Sequence, residues 1–435
     1  MNELTGQFPA DWELLRLPEV LFFQEGPGIT SDKFTKEGIP FINIRCFVNG
    51  RIDRSSCQFI SQKLGNGEYK HFQLDVNDWV FSSSGTIGKI ALIFDEDLPL
   101  LLNTSTIRFR TQDEKRLANN YIKFFLESFH FKIQHQLQTQ GSAQVNVGPT
   151  HLQKMHIPLP PIKEQTQIAT ILSTIDRAIE QTEALIAKQQ RIKTGLMQDL
   201  LTKGIDENGN IRSEETHEFK DSPLGRIPVE WEVKTINDIS IKITDGDHHT
   251  PKRSIDGIFL LSARNVLNGS IDLSDVDYVP EYEYQRMIRR CYPESGDILI
   301  SCSGTIGRVC EVPTWLKCVL VRSAALVKLN KSEIQPRFAE WVLQSDLLQT
   351  QIQISQRQAA QPNLFQSEIA SLNFAKPMLY EQVKISKTLD QHQSLIKRET
   401  LSLEKLKILK TGLMQDLLTG KVRVTDLLNQ KTAAN

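Results

Sequence analysis

Two regimes of apolar spacing alternate along the chain, and each occurs twice. In the first, short runs such as FINIRCFV (41–48), DWVFSSS (78–84), DILISCS (297–303) and VLVRSAALVKL (319–329) are broken by Gly, Asn and Ser turns, the pattern of short strands. These mixed segments cover about 150 residues each, and each predicts a helix as well, near 117–138 and near 336–356. In the second regime the apolar positions common to two stretches are Ile168/Ile385, Leu172/Leu389, Ile179/Ile396, Ile186/Leu403, Ile192/Leu409, Leu196/Leu413 and Leu200/Leu417. Their steps of 4, 7, 7, 6, 4 and 4 predict coiled-coil-like helices over roughly 163–202 and 380–419. A helix of that length is about 60 Å long, which suits a spacer or rod better than a bundle inside one globular core.

The two halves are copies. Pro9, Trp12 and Glu13 return as Pro228, Trp231 and Glu232, and SGTIGK (84–89) returns as SGTIGR (303–308), both 219 residues on. Further along, Ala143, Gln144 and Asn146 match Ala360, Gln361 and Asn363, and Glu164-Gln165 matches Glu381-Gln382, now 217 residues on. The ten residues KTGLMQDLLT stand unchanged at 193–202 and 410–419. The expected fold is therefore α+β: two mixed α/β domains separated by two long coiled-coil-like helices, in an internal repeat. The segments read as a first mixed domain 1–160, a helix 161–203, a polar surface linker 204–222, a second mixed domain 223–378, a helix 379–421 and a tail 422–435.

What has stayed the same and what has drifted separates two roles. The helix ends match at polar positions too: Lys193, Gln198 and Asp199 equal Lys410, Gln415 and Asp416. A coiled-coil core constrains only apolar positions, so identical polar faces point to one partner bound twice. Gly195 and Gly412 inside the helices, each costing about 1 kcal/mol against Ala, fit a close approach by a partner helix. Recent duplication alone fails as an explanation, because the mixed domains have diverged far more. Those domains keep a scaffold and differ elsewhere, which suits two different ligands.

Net charge is −1, mildly against a protein that does nothing but grip nucleic acid and in favour of a subunit that also meets other proteins. The six cysteines form no C-x-x-C pair or metal-finger spacing and read as reduced thiols of a cytoplasmic protein. No secretory signal and no membrane-length apolar run is visible.

SGTIG is not a Walker A loop, since position 83 is Ser and Lys89 is followed by Ile90. It remains a Gly-rich turn after a strand, either structural or able to bring Ser84, Thr86 and Lys89, and Ser303, Thr305 and Arg308, to DNA. Recurrence with a cation in both copies favours contact. Arg45, and Arg264 with Asn265, sit on a shared strand-like segment before Asn-Gly turns. GDHHTPKR (246–253) offers His248, His249, Thr250, Lys252 and Arg253 as a basic DNA-touching loop; a metal site there lacks a supporting distal Cys/His set. In the Gln-rich stretches before the helices, Gln144/Asn146 and Gln361/Asn363 recur in register and could read adenine, although most such glutamines also fit a solvated helix end. No nucleophile elbow, zinc-protease motif, dinucleotide fingerprint, P-loop or amino-methyltransferase tetrapeptide is present, so no catalysis is expected of this chain.

The order of these parts, with PLPPIKEQ opening the first helix, KTGLMQDLLT closing each, and FKDSPLGRIPVEWEV (219–233) introducing the second half, resembles the specificity subunit of type I restriction–modification systems over about residues 9–421. FAKPMLYEQ (374–382) departs by keeping one proline of the helix entry. The resemblance implies that the mixed domains are target-recognition domains, each reading half of an asymmetric bipartite site in double-stranded DNA. It implies that the two helices pack antiparallel, the halves being related by a pseudo-two-fold axis, and hold the domains apart. It also implies that two adenine-N6 methyltransferase subunits dock on the chain, with restriction subunits joining through them. The chain itself would bind no cofactor. S-adenosylmethionine, ATP and Mg would be used by the partners. Two rivals remain at this point: the recognition region of a self-contained restriction–methylation enzyme, and a pseudo-symmetric coiled-coil scaffold without DNA readout.

Overall fold

The computed structural model describes residues 8–139, 146–357 and 363–427. The chain forms two units, one made of Met1–Glu183 with Leu401–Asn435 and the other of Ala184–Thr400. The boundary falls inside both long helices, which run Ile162–Thr202 and Leu379–Leu418 against the 161–203 and 379–421 read from the sequence. Each unit therefore combines one mixed domain with the start of its own helix and the end of the other repeat's helix.

In the first unit a four-stranded antiparallel sheet has the order Leu21–Glu25, Thr106–Thr111, Trp79–Ser82, Ile90–Leu92. In the second the order is Ser240–Asp245, Ala324–Leu329, Ile298–Ser301, Val309–Glu311, the same topology. The central strands read as continuous apolar runs because both faces are covered. Phe81 joins one core cluster and Val80 another; Ile298 and Ile300 join one and Leu299 another. Successive side chains of a strand point to opposite faces, so an alternating pattern is lost when both are dry.

A short hairpin follows in each unit, Phe47–Val48 with Arg51–Ile52 and Val266–Leu267 with Ser270–Ile271. The first turns through Asn49 and Gly50 at φ +48° and +72°, the left-handed pair that matches strand twist. The predicted helices near 117–138 and 336–356 are each two helices, Asn119–Glu127 with Phe129–Thr139 and Pro336–Gln344 with Asp346–Arg357. The break falls at Ser128 and Ser345, whose hydroxyls accept from the amides of Phe131 and Leu348 and so cap the second helix.

Within each unit the two long-helix segments run antiparallel. In the first, Glu164 meets Arg423, Asp176 meets Lys410 and Glu183 meets Lys407, the partners descending as the residues ascend. In the second, Lys193 meets Gln393 and Ile205 meets Glu381. Ile168, Leu172 and Leu417 are buried in one unit, and Leu200, Ile385 and Leu389 in the other. Ile192 and Leu409, read as seam positions, are exposed instead. The segment 204–222 is more than a surface crossing. Arg212 is buried against Glu381, and Phe219–Ser222 pairs with Gly225–Pro228.

Candidate nucleic-acid interface

The SGTIG turns are built alike. Ser82 and Ser301, at the strand ends, each donate from Oγ to the carbonyl of the turn threonine, Thr86 at 2.7 Å and Thr305 at 2.6 Å. The same oxygens accept from the amides of Lys89 and Arg308 at 2.9 Å. Gly85, Gly88, Gly304 and Gly307 all have positive φ between 65° and 96°, which allows the tight reversal. Thr86 and Thr305 are exposed at the tips, and Ser84 and Ser303 are half-buried. Lys89 is half-buried with Nζ 3.4 Å from the Ile44 carbonyl, whereas the Arg308 side chain has no partner among the described residues. The turn is a rigid frame, and it presents one cation in each unit.

Asn146 and Asn363 lie beside these turns. The residue after each donates its backbone N–H to the strand end, Val147 to Ser83 at 3.0 Å and Leu364 to Cys302 at 3.0 Å. Gln144 and Gln361, proposed with them, lie outside the described residues.

Arg45 and Arg264 are not on strands. Each sits in a single 3₁₀ turn, Ile44–Cys46 and Ala263–Asn265, because Asn43 caps the first and Asn265 folds back on Ser262 in the second. Arg45 is exposed; Arg264 is exposed but paired with Asp275 and Asp277. Asn265 must be withdrawn as a DNA contact. It is buried, its amide donates to the Asp272 and Asp275 carbonyls, and its oxygen accepts from Ser262.

In the second unit the loop after strand Ser240–Asp245 opens a cleft of about 750 Å³. It is lined by Asp245, His248, Ser303, Arg322, Asn363, Phe365 and Gln366 among others, so three residues nominated from sequence meet there: His248, Ser303 and Asn363. Asp245 is its hub. Its carboxylate accepts from His248 at 2.6 Å, Arg290 at 2.6 Å and Gln366 at 2.7 Å. Burial pushes its pKa up, but Arg290 and His248 outweigh this and hold it below the usual aspartate range. His249, Thr250, Lys252 and Arg253 are exposed on the same loop; His249 pairs with Asp247 and Arg253 with Asp277. Sequence reasoning missed Arg322, Phe365 and Gln366. They lie in segments where the copies differ, and only the fold brings those segments to one cleft.

The family model for the type I restriction modification DNA specificity domain matches this chain twice, over residues 9–189 and 228–407. The chain belongs to that specificity family. Among relatives, the MjaX type I restriction enzyme specificity subunit of Methanocaldococcus jannaschii, a provisional assignment, is 27% identical over 96% of this chain and 95% of its own. The MjaVIII specificity subunit of the same organism is 25% identical over 98% of this chain and 96% of its own. The fold is that of an S subunit of a type I restriction–modification system from M. genitalium, at a TM-score of 0.57 and 17% identity over 93% of this chain and 96% of that one.

The helix ends, unlike the loops, are identical in the two repeats. Lys193 and Lys410 are each engaged inside their own unit, by different partners. Lys193 donates to Gln393 at 2.7 Å and lies over the Trp341 ring; Lys410 pairs with Glu127 and Asp176 at 2.8 and 2.7 Å. Internal packing therefore accounts for where the lysines sit, although its partners differ between the units. It does not explain Gln198 and Gln415, which are exposed, or Asp199 and Asp416, which among the described residues pair only with nearby Lys203 and Lys421. Nor does it explain Gly195 and Gly412, since nothing lies within 4 Å of where a Cβ would stand. Among the described residues no helix is long and apolar enough to cross a membrane.

Proposed function

We propose that each unit of this specificity chain reads one half of an asymmetric bipartite DNA site, and that two copies of one modification subunit dock on its two helix ends. The observation that carries the reading is a shared backbone frame with divergent side chains. The sheet order, the SGTIG turn and the hairpin are the same in both units, while the loops beside them differ. Equal frames with unequal readers suit two different half-sites. The helix ends are the opposite case: the exposed Gln198 and Gln415, the open glycines and the exposed Ile192 and Leu409 repeat with no internal packing to explain them.

On this reading the chain performs no catalysis and acts in the cytoplasm. Adenine-N6 methylation with S-adenosylmethionine, and ATP- and Mg-dependent restriction, belong to its partners. Family membership favours it over the scaffold reading. A genome-wide map of N6-methyladenine, in cells expressing this chain with its modification subunit, tests it. The expected result is one bipartite motif, methylated in both halves and lost when the chain is deleted. Methylation that survives the deletion, or a short unbroken motif, overturns it.

A further inference from the structure

Backbone hydrogen bonds place the two units in register around the cleft. Ser83 N–H donates to Ser105 as Cys302 N–H donates to Ser323, and Thr104 N–H donates to Pro27 as Arg322 N–H donates to Asp247. Val147 and Leu364 make the matching bond from the other side. In this register Arg322 stands where the first unit has Thr104, Phe365 where it has Gly148, Gln366 where it has Pro149, and His248 where it has Gly28. The wall is one structure with two sets of side chains. The shared residues cannot tell two half-sites apart; these four can.

We infer that Arg322 is a specificity-determining residue of the second unit and reads a guanine of its half-site, with Phe365 and Gln366 completing the reading face. Arg322 is exposed, its side chain has no partner among the described residues, and its backbone is fixed by the bond to Asp247. A free guanidinium on a fixed backbone suits bidentate donation to guanine O6 and N7. Phe365, 56% exposed, puts an apolar face beside it, of the kind that packs on a thymine methyl. Gln366 is steered by its bond to Asp245, which leaves its amide oxygen as an acceptor. Asp245 and Arg290 are positioning residues.

The inference rests on the bipartite reading above, and one experiment separates their failures. The full chain with its modification subunit is mapped by methylated-adenine sequencing as wild type, Arg322→Ala and Arg322→Lys, and the complexes are assayed for binding to the site and to sites substituted at each position. If wild type yields no bipartite motif, the bipartite reading itself falls. If it does, Arg322→Ala should make one guanine position of one half degenerate, leave the other half and the spacer intact, and weaken binding to the intact site by about 10- to 100-fold. Arg322→Lys keeps the charge but loses the fork, so it should also relax that position while keeping non-specific affinity. Retention of the full motif by either variant overturns the inference. So does a uniform loss across all sequences with a shallower salt slope, which marks a phosphate contact. Arg322 is exposed, and methylation through the first half-site's unchanged letters reports that the variants fold.

Discussion

Glu340 and Lys123 occupy the same point of the two units and carry opposite charges. Lys123 pairs with Asp176 of the long helix. Glu340 is buried, pairs with Arg337 and accepts from Gln344 at 3.1 Å. Burial pushes its pKa up to about 7; Arg337 opposes the shift, and the carboxylates of Glu311 and Asp390 add to it. Lys193, from the long helix, is a second cation facing it. A carboxyl raised in the folded state binds its proton more tightly there than in the unfolded chain. The stability it contributes is full below its ordinary value near 4.5 and is lost as pH rises through about 7. We predict that Glu340→Gln flattens the dependence of the unfolding temperature on pH between 5 and 8.5 and raises it at the alkaline end. Equal slopes for the two proteins would refute the assignment.

At the scale of elements, each unit is closed by a tryptophan, a glutamate and an arginine from three distant segments. Glu164 accepts from Trp12 at 3.3 Å and pairs with Arg423; Glu381 accepts from Trp231 at 3.2 Å and pairs with Arg212. Both arginines follow the glycine that ends the other repeat's helix, Gly204 or Gly420, at φ +72° and +70°. A Cβ there would strike Trp231 at Gly204 or Pro9 at Gly420, both at 2.4 Å, so the glycines serve packing as well as the turn. Arg212→Ala would leave Glu381 buried and uncompensated, and removing one partner of a buried pair costs about 3–5 kcal/mol. We predict that loss for the second unit in denaturant unfolding, with a smaller one for Arg423→Ala, whose side chain is 27% exposed. Equal small losses, below about 1 kcal/mol, would show the clusters to be incidental. The repeated Trp-Glu and Glu-Gln letters were legible in the sequence, as were the strand runs and both long helices, because period and repetition are local properties. The arginines were not. Glu381 meets Arg212 across 169 residues, and Glu164 meets Arg423 across 259, in segments that do not align. For the same reason the linker read as a surface crossing, and the Arg322 cleft went unseen while the turns that frame it stood out.

At the scale of the molecule, the two long helices each belong to both units. They pass unbroken between Glu183 and Ala184 and between Thr400 and Leu401. If each unit reads a half-site, these two crossings set the spacer, and the prediction becomes geometric. Four residues added to each helix at the crossing add about 6 Å at 1.5 Å per residue. Against roughly 3.4 Å per base pair, that lengthens the spacer by one or two pairs. The antiparallel contacts on either side, Lys407 with Glu183 and Lys193 with Gln393, stay within their own units and are preserved. Four residues added to one helix alone would throw the pair out of register, so that variant should lose activity rather than change spacing. Methylation mapping of the double insertion should therefore return the same two half-sites around a longer gap. Altered half-site letters with an unchanged gap would mean that the helices act on the readers and not on the distance between them.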